Sequence, residues 1–283
     1  LVQEDKILAV AQGNFSTEEK ALCFQEFFDT KDDIQLIDCQ NKTLMPSFID
    51  MHVHFRYPGQ TQKEDLNSGL HAAIAGGFGT VVTMPNTNPV VSSADMALQI
   101  DKEASAFGLA RVIQAVSITK DFEGTDISHL DELDGHFIPV ITEDGHDVAS
   151  AAVMLDGMTV ASKKGIVVSC HCEDNELAKK ARPFRVKALD LMEKYHLPAW
   201  GGSFDDMDEI PDEVFDEIDS YLTRANDILA LAEDTATARN IAIARLADCH
   251  VHLAHVSTAN AIECIRNAKN ALAGEYADYA DDE

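Results

Sequence analysis

The sequence predicts an α/β protein built around a parallel sheet. Short apolar runs rich in Val and Ile alternate along the chain with longer Ala- and Leu-rich segments of helical period. The runs are nearly continuous in hydrophobicity, which is typical of parallel strands that helices cover. A chain of 283 residues with 46% hydrophobic content can also bury a large core. These observations favour either a β/α barrel or a doubly wound sheet.

The elements follow one another in a regular order from residue 48 onward. Six runs have the length and the β-branched content of strands, namely FIDMHVHF, TVVTMP, RVIQAVSI, FIPVIT, GIVVSCH and HVHLAHV. The longer segments between and after them have a helical pattern near residues 64–76, 93–107, 128–134, 147–164, 174–194, 234–247 and 258–272. Each strand is therefore followed by a helix, which is how parallel neighbours are connected.

Two regions stand outside this order. Residues 1–46 contain the short apolar runs KILAVA and IQLIDC, and they predict an N-terminal β segment of a small flanking domain. Residues 47–283 form the main domain. Within it, residues 203–220 are predicted to be an acidic surface insertion, either a solvated loop or a short helix.

Composition excludes two classes of partner. The chain has 22 Lys and Arg against 49 Asp and Glu, and its net charge of -27 repels nucleic acid and anionic membranes. A small anionic substrate would need a local positive site, which metal ions and an arginine can supply. No apolar run reaches the length of a membrane span, and the first residues, LVQEDKILAV, lack the basic and apolar regions of a signal peptide. The six cysteines show no disulfide-scaffold spacing, so we expect a cytoplasmic location.

Polar side chains collect where the predicted strands end. The carboxyl ends of successive strands in a β/α barrel meet at one mouth, where the functional residues of such folds lie. A common site is therefore easier to explain than separate packing roles. In strand order, the residues at these ends are His52, His54 and Arg56, then Asn86, Asp144, His171 and His255.

The residue types at this end favour a zinc site. Neutral imidazoles with one carboxylate suit Zn²⁺ or a similar metal, whereas Mg²⁺ and Ca²⁺ prefer oxygen ligands. Four histidines and an acid exceed the needs of one tetrahedral zinc with an open position, so two Zn²⁺ per subunit are the economical interpretation. Such metals activate a water molecule as a nucleophile and polarise the carbonyl that it attacks.

Five motifs in this order carry a family resemblance. They are MPSFIDMHVHFRYPGQTQKED, AAIAGGFGTVVTMPNTNP, TEDG, SCHCEDN and LAHVST. Together, between about residues 44 and 268, the chain resembles the amidohydrolase superfamily and, within it, the bacterial long-chain type of the dihydroorotase family. The resemblance implies a (β/α)₈ TIM-type barrel over residues 47–283, a small flanking β domain from the chain ends, and a zinc site at the barrel mouth.

The resemblance also implies the ligand set. His52 and His54 would hold one metal, His171 and His255 the other, and Asp144 would bridge them.

The bridging residue has competitors in the sequence. Many relatives use a carboxylated lysine, but Lys163 and Lys164 stand in SKKG at a helix end, just ahead of the fifth strand. Glu143 would point to the opposite face of the strand from Asp144. We therefore expect Asp144 to be the bridge.

The activity implied by the resemblance is the reversible hydrolysis of dihydroorotate to N-carbamoyl-L-aspartate in pyrimidine biosynthesis. His54, Arg56 and Asn86 would contact the substrate, and the Arg56 guanidinium would pair with its carboxylate. An allantoinase or dihydropyrimidinase-like amidohydrolase is the alternative within enzymes. In the family pattern, allantoinases carry asparagine where Arg56 stands.

Four further residues are interpreted as packing residues. Cys170 and Cys172 flank His171, but on a strand they face away from it. His250 and His252 have the opposite parity to His255, and we expect them to pack or to face the helices.

Two expectations concern completeness. The predicted order contains six strand-and-helix units, whereas a closed barrel has eight. The resemblance places the general acid or base, an aspartate, after the eighth strand, so no catalytic residue is assigned, and we expect it to lie beyond Glu283 in a longer polypeptide. This chain alone would then be catalytically incomplete. A homodimer is one expected assembly, and a non-catalytic partner of aspartate transcarbamoylase is the alternative outside enzymes.

Overall fold

The computed structural model describes residues 42–197 and 210–280, of which 274–280 by backbone alone, together with positions 2, 3, 6, 7, 8, 10, 37, 39 and 40. The chain divides into two compact units, Leu1–Pro46 and Ser47–Glu283. In the first unit, β1 (Val2–Gln3) and β2 (Lys6–Ile7) form an antiparallel pair. Most of the predicted run IQLIDC lies outside the described residues.

The second unit alternates strands and helices. Its strands are β3 (Phe48–Val53), β4 (Phe78–Thr83), β5 (Arg111–Gln114), β6 (Val116–Ser117), β7 (Val140–Thr142), β8 (Val167–His171) and β9 (Val251–Ala254). Its α-helices are α1 (Leu66–Ala75), α2 (Ala94–Ser105), α3 (Ala151–Lys164), α4 (Asn175–Lys194), α5 (Asp212–Ala247) and α6 (Ala259–Ala280). The helix predicted at 128–134 is a 3₁₀-helix, Ser128–Glu132, and another covers Lys120–Phe122.

Every strand pair described in this unit is parallel, in the order β3-β4-β5 and β6-β7-β8-β9. Strands β5 and β6 are separated only by Ala115, whose N–H donates to the Thr83 carbonyl of β4 at 3.0 Å. They therefore act as one segment that pairs first with β4 and then with β7. The described residues form six consecutive β/α units of a TIM-type barrel, in which closure takes eight.

Local signals set where the helices begin. The Asp65 carboxylate accepts from the Ser68 N–H at 2.8 Å, and the two residues form a capping box before α1. Ser93, Ser150 and Asp174 cap α2, α3 and α4 in the same manner, each with a side-chain oxygen that accepts from the first turn. These caps fix the helices directly after the loops that leave the strand ends.

The hydrophobic core lies mainly between the strands and the helices. Leu70, Met154 and Met158 on the helices and Ile141 and Val168 on the strands all belong to one cluster of buried residues. A smaller cluster comprises Val82, Met84, Ala115 and Val140. Since successive strand residues alternate faces, Val81 in the main cluster and Val82 in the small one mark the two sides of β4.

Two expectations about the elements are corrected. The acidic stretch 203–220 was predicted to be a solvated loop or a short helix, but its residues from Asp212 onward belong to α5, which continues unbroken to Ala247. Residues 203–209 lie outside the described part of the chain. The strand FIDMHVHF was expected to be buried, yet Phe48, Ile49 and Met51 are exposed. Among the described residues β3 pairs with β4 alone, so its other edge has no covering strand.

None of the described helices combines the length and the apolar content that a bilayer span needs.

Candidate metal centre

Four strand ends bring together five metal-competent side chains, namely Asp144 and the four histidines around it. Two overlapping groups have ligand atoms that all lie within 4.8 Å of one another. The first group is His52, His54 and Asp144, and the second is Asp144, His171 and His255. The shared carboxylate follows β7, while the histidines come from the ends of β3, β8 and β9.

The Asp144 carboxylate lies between the histidines. Its Oδ1 is 3.1 Å from His52 Nε2 and 3.7 Å from His255 Nε2, and its Oδ2 is 3.6 Å from His54 Nε2. The imidazole rings are also close, with centroids 4.5 Å apart for His52 and His255 and 5.3 Å apart for His171 and His255. The curvature of the sheet thus brings the ends of β3 and β9 to one point.

Asn86 links the first histidine pair to the arginine and to the carboxylate. Its Nδ2 donates to Asp144 Oδ2 at 2.6 Å, and its Oδ1 accepts from Arg56 Nη1 at 3.4 Å. The same oxygen is 3.1 Å from His54 Nδ1. Since the carbonyl oxygen of Asn86 can only accept a hydrogen bond, Nδ1 of His54 carries the proton. Its Nε2 then has a free lone pair that can bind a metal.

Burial and charge set the protonation of the centre. Burial lowers the pKa of His54 and of His171, which keeps both imidazoles neutral near pH 7 and able to bind a metal. Burial alone would raise the pKa of Asp144, but the surrounding imidazoles of His52, His54 and His171 together lower it. Asp144 is therefore an ionised carboxylate in a buried position.

Several imidazole nitrogens have no hydrogen-bond partner within the described residues. Both ring nitrogens of His52 and the Nδ1 of His171 are buried and unpartnered. The His52 Nε2 approaches Asp144 to 3.1 Å without the alignment of a hydrogen bond. Buried polar atoms are rarely left unpaired. A cation between the imidazoles and the carboxylate would bind the His52 Nε2, which faces Asp144, so this donor set fits one or two metal ions of the zinc type.

The competing bridge residues lie elsewhere. The Lys164 ammonium donates to the backbone carbonyls of Asp131 and Leu133, both at 2.9 Å, at the end of α3 that precedes β8. Glu143 points away from Asp144 and accepts from the backbone N–H groups of Ile118 and Thr119 at 3.0 and 2.9 Å. Neither side chain belongs to the two ligand groups.

The cysteines beside His171 pack away from it. Cys170 is buried in the main core, and the sulfur of Cys172 accepts from Asn240 Nδ2 at 3.7 Å. The alternation of the strand therefore separates both thiols from the imidazole.

The prediction that His252 faces the helices is wrong. His252 pairs in register with Ser169, and both share the face of His171 because Ser169 and His171 are two residues apart. Its pKa is lowered by burial and then by the neighbouring His52 and His255. The parity argument failed because β9 ends at Ala254 and His255 has a left-handed backbone with φ 59°. His252 thus faces the site from deeper in the barrel.

Sequence reasoning missed the residues that fasten the loops. Asp147, three residues after Asp144, accepts from Arg239 Nη2 at 2.9 Å and from Asn240 Nδ2 at 3.0 Å on α5. Glu233 of the same helix accepts from the loop that follows β9. The available signal was the helical spacing of these polar residues on one apolar helix, which alone does not identify their partners.

A cavity of about 510 Å³ opens beside His171 and His255, between the strand ends and the helices α4 and α5. Arg185 of α4 and Asn226 of α5 are on its wall. The metal-competent histidines are thus accessible from this side.

Comparisons with known proteins identify the family of this chain. Residues 41–196 match the family model described as Dihydro-orotase-like. A dihydroorotase of Clostridium botulinum (strain Eklund 17B / Type B) is 32% identical over 241 residues, which are 85% of this chain and 49% of that protein. A dihydroorotase of Deinococcus radiodurans is 33% identical over 235 residues, or 83% of this chain and 49% of that protein. The chain spans about half the length of these curated relatives.

Solved structures share the fold. An L-hydantoinase (dihydropyrimidinase) from Arthrobacter aurescens matches with a TM-score of 0.54 and 18% identity, over 80% of this chain and 45% of that one. A D-hydantoinase matches with a TM-score of 0.51 and 21% identity, over 80% and 44% of the two chains. At this identity the likeness concerns the barrel architecture only.

Proposed function

The chain belongs to the dihydro-orotase-like family, and from that premise we propose that it forms the metal-binding part of a dihydroorotase. The reaction is the reversible hydrolysis of the dihydroorotate ring to N-carbamoyl-L-aspartate. The observation that carries this proposal is the convergence of His52, His54, His171 and His255 on the single carboxylate of Asp144. The cluster lies at the carboxyl ends of the barrel strands, which is where the active sites of this fold are found.

In the proposed site, His52 and His54 would hold one Zn²⁺, His171 and His255 would hold a second, and Asp144 would contribute its carboxylate to both. The bound metals supply Lewis acidity toward the ring carbonyl and lower the pKa of a bound water molecule. The chain contributes neutral imidazoles, because burial lowers the pKa of His54 and His171, and an ionised bridge at Asp144. Asn86 fixes the tautomer of His54 and so directs its Nε2 toward the metal position.

Arg56 supports the choice of an acidic ring as substrate. Its guanidinium stands beside Asn86, two residues after His54, and it offers a planar, charged partner for a carboxylate. The net charge of -27 would otherwise repel an anionic substrate, so a local cation next to the metal positions is required. Dihydroorotate carries such a carboxylate, whereas unsubstituted hydantoin is a neutral ring.

The experiment compares binding of the two rings to the zinc-loaded chain by calorimetry. We expect dihydroorotate to bind more tightly than hydantoin, and Arg56→Gln to weaken dihydroorotate at least tenfold, since a charge-assisted pair contributes about 1.5–3 kcal/mol, while hydantoin binding stays unchanged. Arg111→Gln, an exposed arginine at the amino end of β5, is the matched control. The assignment would be contradicted if Arg56→Gln lowered the affinity for both rings equally, or if the unaltered chain bound hydantoin more tightly than dihydroorotate.

A further inference from the structure

A short segment of α5, Ala232–Asp234, contacts both loops that follow β8 and β9. The Ala232 carbonyl accepts from the Asp174 N–H at 3.1 Å, in the loop after His171. The Glu233 carboxylate accepts from the N–H groups of Ser257 and Thr258 at 2.7 and 2.9 Å, in the loop after His255. We call Ala232–Asp234 the anchor segment.

The contacts of the anchor segment with the second loop and the start of α6 engage all four carboxylate oxygens of its two acids. One Glu233 oxygen accepts both backbone N–H groups, and the other accepts the Ser257 hydroxyl. Asp234 accepts the Thr258 hydroxyl at 2.5 Å and the Asn260 amide at 2.8 Å. Since both oxygens of Glu233 are engaged, its role is to hold the loop. The cavity that it lines has other groups for a ligand.

His255 needs such support more than the other histidines do. It lies outside β9, which ends at Ala254, and its backbone is left-handed with φ 59°, a region that non-glycine residues occupy only when their surroundings impose it. Its side chain is 52% exposed, against 16% for His52. Packing therefore does not fix this imidazole, and the loop must.

We infer that Glu233 is a positioning residue for His255: its carboxylate fixes the Ser257–Thr258 backbone and thereby holds the imidazole where the second metal is shared with Asp144. The inference rests on the proposed function, which supplies the metal pair. It agrees with the charge state of Glu233, whose pKa burial would raise but the hydrogen bonds from Ser257 and Thr258 lower. Helix α5 thus positions His255 indirectly, through the loop that follows β9.

The test is a Co²⁺ titration of the metal-free chain followed by visible absorption, which reports the coordination of each ion. We expect two equivalents for the unaltered chain. Glu233→Ala should bind the first equivalent with an unchanged spectrum and the second about 10–100-fold more weakly, the range found when second-shell partners of metal ligands are removed. Glu233→Gln should restore most of the affinity, because its amide oxygen still accepts the two backbone N–H groups.

Glu217→Ala is the matched control for Glu233→Ala, since it makes the same change on an exposed turn of α5, where Glu217 bonds only to Tyr221 among the described residues. It should bind both equivalents as the unaltered chain does. Two equivalents bound by Glu233→Ala with unaltered affinity would overturn the inference and leave the proposed function intact. Loss of both equivalents together with a lowered unfolding midpoint of the metal-free variant would show a general structural role and would also overturn it. An unaltered chain that binds no Co²⁺ would refute the proposed function itself.

Discussion

Asp144 is the residue that the two histidine pairs have in common. Its carboxylate is buried, yet its pKa is lowered because His52, His54 and His171 surround it. A buried carboxylate is expensive unless cations or donors compensate it. Here the Asn86 amide donates to the carboxylate, and in the proposed function two metal ions would compensate the rest of its charge.

Replacing Asp144 by Asn should therefore weaken both metal positions at once. The amide keeps one oxygen but loses the charge and one of the two acceptors, so we expect zinc affinity to fall by more than about tenfold, since even changes behind the ligands cost about 10–100-fold. Competition with a chromophoric chelator measures the affinity. Asp156→Asn, an exposed change on α3, should leave it unaltered. Unchanged stoichiometry and affinity in Asp144→Asn would rule out the bridge.

Glu143, one residue earlier, is predicted to matter for stability. Its buried carboxylate satisfies the N–H groups of Ile118 and Thr119 and the Thr119 hydroxyl. Glu143→Ala leaves these donors unpaired, and we expect a loss of about 3 kcal/mol in the free energy of unfolding, since each orphaned buried donor costs about 1–3 kcal/mol. Urea unfolding measures the change. Exposed Glu132→Ala should stay within about 0.5 kcal/mol, and a similarly small effect at Glu143 would disprove its anchoring role.

At the scale of elements, helix α5 fastens the loops that contain or directly follow three of the five metal-competent residues, Asp144, His171 and His255. Asp147 in the loop after Asp144 bonds to Arg239 and Asn240, and the anchor segment bonds to the loops after His171 and His255. The helix therefore supports the second half of the centre, whereas Asn86 supports the first half from the loop after β4.

The Asp147 anchor has a predicted pH signature. Burial raises its pKa from 3.8 to about 6, although Arg239 and Asn240 oppose the shift. A folded pKa above the unfolded one means that the folded state binds the proton more tightly. Its contribution to stability is present below about pH 4 and is lost as the pH rises through about 6, by up to about 3 kcal/mol for a shift of about two units.

The comparison that isolates this group is urea unfolding of the metal-free chain and of Asp147→Asn, from about pH 4 to about pH 7. The stability of the variant relative to the unaltered chain should rise over this range. The variant also alters the contact with Arg239, which adds to the stability difference a constant amount that does not vary with pH. A difference that is flat with pH, or that moves in the opposite direction, would show that Asp147 is charged throughout.

The sequence indicated these elements unevenly. The six strands were predictable because β-branched runs determine strands locally, and the strand-end residues converge because parallel strands present their carboxyl ends at one edge. The start of α5 was missed because acidic residues on a helix face look like a solvated loop. A signal existed: Ile218, Ala225 and Ala232 are buried at a spacing of seven, and so are Ala181 and Ala188 of α4, the helix that packs against α5.

The left-handed backbone of His255 and the contact between Glu233 and Ser257 had no local signal. Both depend on residues that are distant in sequence, and single residues with positive φ other than glycine are set by tertiary context. The sequence thus indicated which strand-end side chains meet around Asp144, but it did not indicate the contacts that hold their loops.

For the whole molecule, the proposed metals link binding to stability. Drawing four imidazoles and a carboxylate together is unfavourable without a cation, so metal binding should stabilise the folded chain. At free zinc one hundred times the dissociation constant, one site adds about 2.7 kcal/mol. Removal of the metal with a chelator should lower the unfolding temperature, and added Zn²⁺ should restore it. In Asp144→Asn, the difference in unfolding temperature between the zinc-loaded and the metal-free chain should be much smaller. If neither the chelator nor added Zn²⁺ changes the unfolding temperature of the unaltered chain, the link between metal binding and stability is contradicted.

The central claim is that five side chains converge on a shared pair of metal ions. Anomalous scattering at the zinc edge from crystals of the zinc-loaded chain tests it most directly. The account predicts two peaks about 3.5–4 Å apart, with His52 and His54 on one, His171 and His255 on the other, and the Asp144 carboxylate between them. Peaks that lie away from Asp144, or an absence of peaks among these residues, would contradict it.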